Sequence, residues 1–446
     1  MTYKSSVLED LAWRGLIFQT THEELDQALL EAEQAGEGLA LYCGFDPSAD
    51  SLHIGNLLAI FVLANFRRHG HSPIALAGGA TGLIGDPSGK SDERNLLTEE
   101  TITKNLEGIS AQLREILDRA MTLHPETRKA AADAGEIPVV NNADWIKPWS
   151  FIGFLRDVGK NFRVNTMLQK DSVKSRLEQR EQGLSYTEFS YMLIQAYDFL
   201  HLYRETGCRL QVGGSDQWGN ITAGTDLIGR MESNEKKAFG LTFPLITSAS
   251  GQKLGKSEKG ATYLAPERNS PYEFYQYWVN RDDADVPRFL RMFTFLPRER
   301  VDELSGLVER GENRGEAQRE LAWEVTRLVH GDEGAEKAIR ASRMMFGEKI
   351  EDLSDAEFQA IFADVPSTEI TREQLEAGVP LFELFVLTGL TKSNGEARRL
   401  LDQGGVYVNN TRIDDSGYVV GVSDLVSANA LVLRAGKKKY HVVSVS

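Results

Sequence analysis

Little in this sequence would serve a secreted, membrane-spanning or metal-scaffolded protein. Only two cysteines occur in 446 residues, Cys43 and Cys208. They lie far apart with no metal-ligand spacing, which argues for two small buried hydrophobes over a disulfide framework or a zinc site. No stretch approaches the ~18 apolar residues of a membrane span. The N-terminal MTYKSSVLEDLAWRG puts Glu9 and Asp10 where a signal peptide needs an apolar run, so the expected location is cytoplasmic, with no membrane partner. Positive charge is also scarce: 50 lysines and arginines face 65 acids, a net charge of −15. That excludes indiscriminate binding to nucleic acid but leaves room for a local basic patch.

Such a patch is found at the end of the chain. Residues 388–446 carry eight lysines and arginines against five acids, whereas residues 331–380 carry five against twelve. The length suits about three domains of ~150 residues. From about 38 to 230, short apolar runs alternate with amphipathic stretches, the pattern of strands and helices around a parallel sheet. GLALYCG, SPIALAGGA and CRLQVGG read as buried strands, and TEETITKNLEGISAQLREIL as a helix with Thr98 as N-cap. From about 271 to 331 strand signals cease, and Leu321, Val325, Leu328 and Val329 recur at helical spacing. An acidic connector with short helices follows. LFELFVLTGLTKSNGEARRLLDQGGVYVNNTRI then reads as helix, turn, helix and a strand from Val406, a compact α+β module.

Two short stretches bear on chemistry. In CGFDPSADSLHIGN, residues 43–56, an apolar run ends at Gly44 and a helix starts near Leu52. Free N–H groups at a helix start favour anions, a glycine there lets a ligand approach the backbone, and His53 and Asn56 share a face as donors. In SGQKLGKSEKG, residues 250–260, Lys253 and Lys256 sit among glycines. Taken singly, the first reads more readily as a structural histidine and the second as a solvated basic loop. On the helix EFSYMLIQAYDFL, Tyr191, Gln195 and Asp198 fall within about 60° of one another on an otherwise apolar surface. This is the pattern of a buried pocket wall whose polar groups need partners, which a substrate would provide. GGATGLIGDPSGK, residues 78–90, fails as a phosphate-binding P-loop because position 84 is isoleucine where that motif needs glycine.

His53-Ile54-Gly55-Asn56 and Lys253-Leu254-Gly255-Lys256-Ser257, about 200 residues apart, together resemble the two signature elements of the class I aminoacyl-tRNA synthetases. YCGFDPSADSLHIG, GGATGLIGDPSGK, EFSYMLIQAYDFL and VGGSDQWGNITAG narrow the resemblance to the bacterial tyrosine-specific branch, from Trp13 to the C-terminus and weakest between about 331 and 380. The resemblance implies an α/β fold: a Rossmann-type parallel-sheet catalytic domain over residues 1–240, the lysine loop with a helical anticodon-binding domain over 241–335, the acidic connector over 336–380, and an α+β RNA-binding domain of ribosomal-protein type over 381–446. It also implies ligation of L-tyrosine to tRNA(Tyr) through a tyrosyl-adenylate.

Carried over by position, Tyr42 and Asp198 would meet the tyrosine phenol, Asp86, Tyr191 and Gln195 its ammonium, and Gln217 its carboxylate. Cys43, Gly44, Asp46, Ser48, His53, Gly55, Asn56, Gly214, Asp216 and Lys256 would line the ATP side. Catalysis would rest on His53 and Asn56 together with Lys90, Arg94, Lys253 and Lys256 around the leaving pyrophosphate, with no side-chain nucleophile. Mg2+ would come on the ATP phosphates, with no protein-built metal site. Lys392, Arg398, Arg399 and Arg412, supplemented by Lys437, Lys438 and Lys439, would face RNA phosphates. A homodimer is implied, with FLRDVGKNFRVNTML in its interface. Asn56 stands where the family has a second histidine, so it is expected to act as a neutral donor and to matter less than His53. Tryptophan-specific synthetases share the fold and both loops, but Asp198 and the basic tail argue against them. A small nucleotidyltransferase would leave the helical domain and tail unexplained. A non-catalytic RNA-binding module would not need both signature lysines.

Overall fold

The protein is described by a computed structural model covering residues 2–446, except 87–96, 130–135, 171–172, 175–183, 233–236, 250, 252–253, 255, 258–259, 352, 363–364 and 437–438. At Lys256, Ser257, Gly260 and Ala360 it describes the backbone only. The chain forms two compact units, Met1–Asn269 with Trp278–Gly331, and Ser270–Tyr277 with Asp332–Ser446.

The first unit is built on six strands: β1 (Gln19–Thr20), β2 (Ala40–Phe45), β3 (Ser72–Ala77), β4 (Val139–Asn141), β5 (Leu210–Gly214) and β6 (Phe239–Phe243). Their order is β1-β6-β5-β2-β3-β4. All neighbours are parallel except the edge pair β1 and β6. Strands β2, β3 and β5 are the apolar runs expected to be buried, and they need no alternation because helices cover both faces. After β2 the chain moves outward to β3 and β4 on one side, then returns to place β5 and β6 on the other. The switch point therefore lies between β2 and β5, and open parallel sheets of this kind bind ligands beyond the carboxyl ends of the strands at that point.

The helix Ile54–Arg68 follows β2 and is buried along almost its whole length. Its apolar residues cover the full circumference, as suits a helix enclosed by other elements. Thr98 caps the helix Glu99–Thr122, its side chain accepting from the Thr101 N–H at 3.2 Å. The long helix Tyr186–Thr206 starts with a reciprocal cap between Ser185 and Glu188. It packs Met192, Ala196, Phe199 and Leu200 into the same core as Tyr42 and Leu76.

In the second unit, the helices Leu381–Leu387 and Asn394–Asp402 precede the strand Val406–Val408. A five-stranded sheet has Leu431, Leu433 and Val443 facing these helices, while Val432 and Val442 pack with Ile350, Phe358 and Phe362. The stretch expected to be a connector contributes a strand of its own: Ser367–Ile370 pairs in parallel with Lys439–Val445 at the sheet edge. Four residues with a glutamate among them are too few to carry a local strand signal, and the pairing is made with chain 75 residues away, as in Ser367 with Val442.

Candidate active site

At the carboxyl ends of β2 and β5 lies a cavity of about 320 Å³. Tyr42, Cys43, Gly44, Asp46, Ser48, His53, Gly55, Asn56, Asp86, Tyr191, Gln195, Asp198, Gly214, Asp216 and Gln217 all border it. Residues from four separate stretches of sequence are thus brought to one place. Cys43 is buried, with its thiol pushed up to about 12 by that burial, so it presents a neutral sulfur to the cavity.

The deep end is set by two phenol-compatible groups. Tyr42 is 1 % exposed, and its hydroxyl is buried without a hydrogen-bond partner among the described residues. Burial, and then the nearby Asp198, hold its pKa well above the ordinary value. Asp198 is also 1 % exposed, yet it is not left waiting for a substrate as the sequence suggested. Asn142 Nδ2 donates to its Oδ2 at 3.0 Å and Trp145 Nε1 to its Oδ1 at 2.7 Å. Burial outweighs both donors and raises the carboxyl to about 7. Gln195 Oε1 and Gln211 Oε1 are further buried acceptors without partners among the described residues. Unpaired buried polar atoms are rare in folded proteins, and all of these border the same cavity.

Nearer the mouth is a carboxylate and amide network. Asp46 accepts from Thr81 Oγ1 at 2.8 Å and from the Tyr191 hydroxyl at 3.0 Å. Gly78 makes this possible, because a Cβ there would lie 2.4 Å from Asp46 Oδ1. Burial, with Asp46 and Asp86 next, pushes the Tyr191 phenol well above its usual range. Gln217 Nε2 donates to Asp86 Oδ2 at 2.7 Å, while its Oε1 accepts from Asn220 and, at 3.4 Å, from Gln195. A cationic group entering here would face two carboxylates held in fixed positions.

The helix start forms the other wall. His53 is the N-cap, and its backbone N–H donates to Asn56 Oδ1 at 3.0 Å. The acceptor half of the Asn56 amide is thereby used in capping, which leaves the Nδ2 group as its donor. Gly55 is required by the imidazole: a Cβ would lie 2.7 Å from His53 Cε1 and 2.9 Å from Nδ1. His53 also forms a β-bridge with Tyr263, and Ile54 N–H donates to the Thr262 carbonyl at 3.0 Å. This joins the histidine motif to the chain directly after the lysine motif, whose Lys256–Ser257 backbone pairs with Gly260–Ala261. Lys90, Arg94 and Lys253 lie outside the described residues, as does the Lys256 side chain.

In the second unit, Lys392, Arg398, Arg399, Arg412 and Lys439 are all exposed, whereas Lys437 and Lys438 lie outside the described residues. Arg398 lies over the Phe382 ring, and Arg412 pairs with Asp414 at 2.8 Å. Sequence reasoning missed Thr81 and Gln211, which border the cavity, and Asn142 and Trp145, which support its Asp198 from behind the lining. Asn142 and Trp145 directly follow β4, so the rule that ligands gather at strand carboxyl ends would have found them, had the short run Ile137–Val140 been read as a strand.

Comparison with known proteins identifies the family. Residues 34–347 match the model of the tRNA synthetases class I (W and Y), and residues 357–443 that of the tyrosine–tRNA ligase SYY-like C-terminal domain. A tyrosine–tRNA ligase of Rhodopirellula baltica is 49 % identical over 99 % of this chain and 97 % of its own. That of Bacillus caldotenax is 49 % identical over 98 % and 99 %. A crystal structure of a C-terminally truncated mitochondrial tyrosyl-tRNA synthetase from Aspergillus nidulans superposes with a TM-score of 0.68 at 30 % identity, covering 77 % of this chain and 95 % of that one. With near-complete coverage at this identity, the chain belongs to the tyrosine–tRNA ligases within the class I tRNA synthetases.

Proposed function

We propose that this chain activates L-tyrosine with ATP to form tyrosyl-adenylate and pyrophosphate, then transfers the tyrosyl group to the 3′ end of tRNA(Tyr). One observation carries the reading: a buried, unpartnered Tyr42 hydroxyl and the buried Asp198 carboxyl border one cavity at the sheet's switch point. That combination offers a phenol both a donor and an acceptor. A substrate lacking the hydroxyl would leave both groups unanswered, which is costly in a buried site. The tryptophan-specific alternative is not favoured, because the near-full-length relatives are tyrosine enzymes.

In the proposed mechanism the ammonium rests among Asp86, Tyr191 and Gln195, and Gln217 faces the carboxylate. A carboxylate oxygen attacks the α-phosphorus, and the bond to the β-phosphate oxygen breaks as pyrophosphate leaves. The terminal ribose hydroxyl of tRNA then attacks the activated carbonyl and AMP departs. Positioning and charge stabilisation carry the rate, with no covalent enzyme intermediate. Cys43, Gly44, Asp46, Ser48, Gly214 and Asp216 would hold the nucleoside and ribose side, with His53, Gly55 and Asn56 at the phosphates. Lys90, Arg94, Lys253 and Lys256 would neutralise the leaving pyrophosphate, and Mg2+ would arrive on the ATP phosphates.

Lys392, Arg398, Arg399 and Arg412 are proposed to contact RNA phosphates. The domain limits read from the sequence at 240 and 335 are retained as part of this proposal, but the limit at 380 is not, because Ser367–Ile370 belongs to the C-terminal sheet. The proposal also includes a homodimer, supported by exposed Phe151, Ile152, Val164 and Leu168 on and beside the expected interface segment. Among the described residues no helix is long and apolar enough to cross a membrane, and a cytoplasmic location suits an RNA substrate.

ATP–pyrophosphate exchange run in parallel with tyrosine, tryptophan and phenylalanine tests the reading. Exchange driven by tyrosine alone is expected, and exchange driven by tryptophan would overturn it. Lys256→Ala should slow adenylate formation by about 10²-fold or more while leaving tyrosine affinity nearly unchanged. An unchanged single-turnover rate would remove Lys256 from the mechanism.

A further inference from the structure

The two donors that hold Asp198 are themselves held very differently. Asn142 is buried and locked: its Oδ1 accepts from the Ala80 N–H at 2.7 Å, and its Nδ2 reaches Thr81 Oγ1 at 3.2 Å as well as Asp198. Trp145 stands on the four-residue helix Ala143–Ile146, too short to be stable alone, and is only half-buried. Its indole N–H makes a single hydrogen bond, to Asp198. The plane of that ring must therefore be set by packing. His201 does this: its imidazole stacks on the indole with centroids 4.4 Å apart and planes 18° apart.

Asp198 and His201 are three apart on the helix Tyr186–Thr206 and so lie on one face of it. One meets the edge of the same indole and the other its face. Tyr197 in turn flanks His201 at 6.3 Å and packs edge-on with Trp149 at 5.5 Å. Burial lowers the His201 pKa below its ordinary value, which favours a neutral, flat ring that adds no charge beside a buried carboxyl.

We propose that His201 is a positioning residue for tyrosine recognition, acting through Trp145 to aim the indole N–H at Asp198 Oδ1 and so to fix the carboxyl that meets the substrate phenol. The proposal rests on the tyrosine reading given above. His201 touches neither substrate nor reacting atoms in this scheme. Its effect passes entirely through the Trp145 to Asp198 hydrogen bond, because an indole free to tilt presents its donor off-line and leaves the buried carboxyl less firmly placed.

The test is tyrosine-dependent ATP–pyrophosphate exchange by the full chain and by four variants: His201→Ala, His201→Phe, Trp145→Phe, and Trp145→Phe combined with His201→Ala. His201→Ala should raise KM for tyrosine about three- to tenfold, the range expected for losing one aromatic stack, with kcat and KM for ATP within about twofold. His201→Phe, which keeps a flat neutral ring, should return KM for tyrosine to near the starting value. In the Trp145→Phe background, His201→Ala should add nothing, because the donor it would aim is already gone. Effects of the two substitutions that simply add, an unchanged KM in His201→Ala, or KM values for tyrosine and ATP that rise together would each overturn the proposal. Absence of tyrosine-dependent exchange in the unsubstituted chain would instead overturn the tyrosine reading itself, before any variant is compared.

Discussion

Tyr42 carries a phenolic oxygen sealed inside the first unit with no partner among the described residues, and such an atom costs stability until a ligand meets it. Tyr42→Phe should therefore raise the free energy of unfolding by about 1 kcal/mol in urea titrations without ligand, while the stabilisation gained on adding tyrosine should shrink. A variant less stable than the parent would mean that the hydroxyl is satisfied in solution. Gly55 permits a second separation of function from stability. Gly55 has an ordinary helical backbone at the second position of its helix that alanine can adopt, but a Cβ there would strike the His53 ring. Gly55→Ala should thus slow tyrosine activation about as much as His53→Ala while lowering the thermal midpoint little, because the half-buried His53 ring can swing away from the added methyl. Asn56→Ala should show the opposite pattern. Losing the acceptor for the His53 N–H should cost about 0.5–2 kcal/mol of stability, with a smaller loss of rate than His53→Ala. Equal rates for the two would sink that ranking.

Among elements, the turn after the helix Glu99–Thr122 depends on charge in a way that pH can read. His124 adopts left-handed backbone with φ 46°, an uncommon conformation for a side-chain-bearing residue. Its carbonyl accepts from Arg68 Nη2 at 2.8 Å. Its ring lies 2.9 Å from the buried Glu324 and 3.0 Å from Glu126. The bond to Glu324 is the main cause of a raised His124 pKa, against the opposing effect of burial. A folded-state pKa above the unfolded value means that the stabilisation is fully present below about pH 6.5 and is lost as pH rises through the folded value. Asp198, raised by burial to about 7 from 3.8, also makes stability fall as pH rises, because ionising the buried carboxyl penalises the folded state between those two values. Comparing urea midpoints of the parent and His124→Gln from about pH 6 upward isolates the histidine. The parent should lose more stability than the variant across that range, and parallel curves would show that the ion pair contributes nothing.

For the whole molecule, the last boundary between the units falls at a single residue. The helix Glu316–Met345 is interrupted at Gly331, with φ 76° and ψ 175°, where the two units divide. A cut at 381 would remove Lys439–Val445 and leave Ser367–Ile370 without the strand it pairs with, whereas a cut after Gly331 leaves no half-built sheet. The shortened chain should keep tyrosine-dependent exchange within about twofold, yet charge tRNA at least about tenfold more slowly near 0.15 M salt, because the proposed phosphate-facing cations are gone. Equal charging by the two forms would remove the tail from tRNA binding.

What the amino-acid sequence determined by itself was whatever is written in contiguous residues. The buried strands β2, β3 and β5, the capped helix after Thr98, the helix–turn–helix–strand order of the tail, and the His53 and Lys253–Ser257 motifs all depend on local periodicity, capping and short spacing. The polar stripe Tyr191, Gln195 and Asp198 was legible for the same reason, since one helix fixes its geometry. Tertiary structure alone decided which groups complete those residues. Asn142 and Trp145 reach Asp198 from across 53 to 56 positions, Tyr263, past the lysine motif, pairs with His53, and Ser367–Ile370 becomes a strand only beside Lys439–Val445. Those contacts are made between distant segments that a compact core brings together, and no local pattern encodes a partner that the chain meets only after folding.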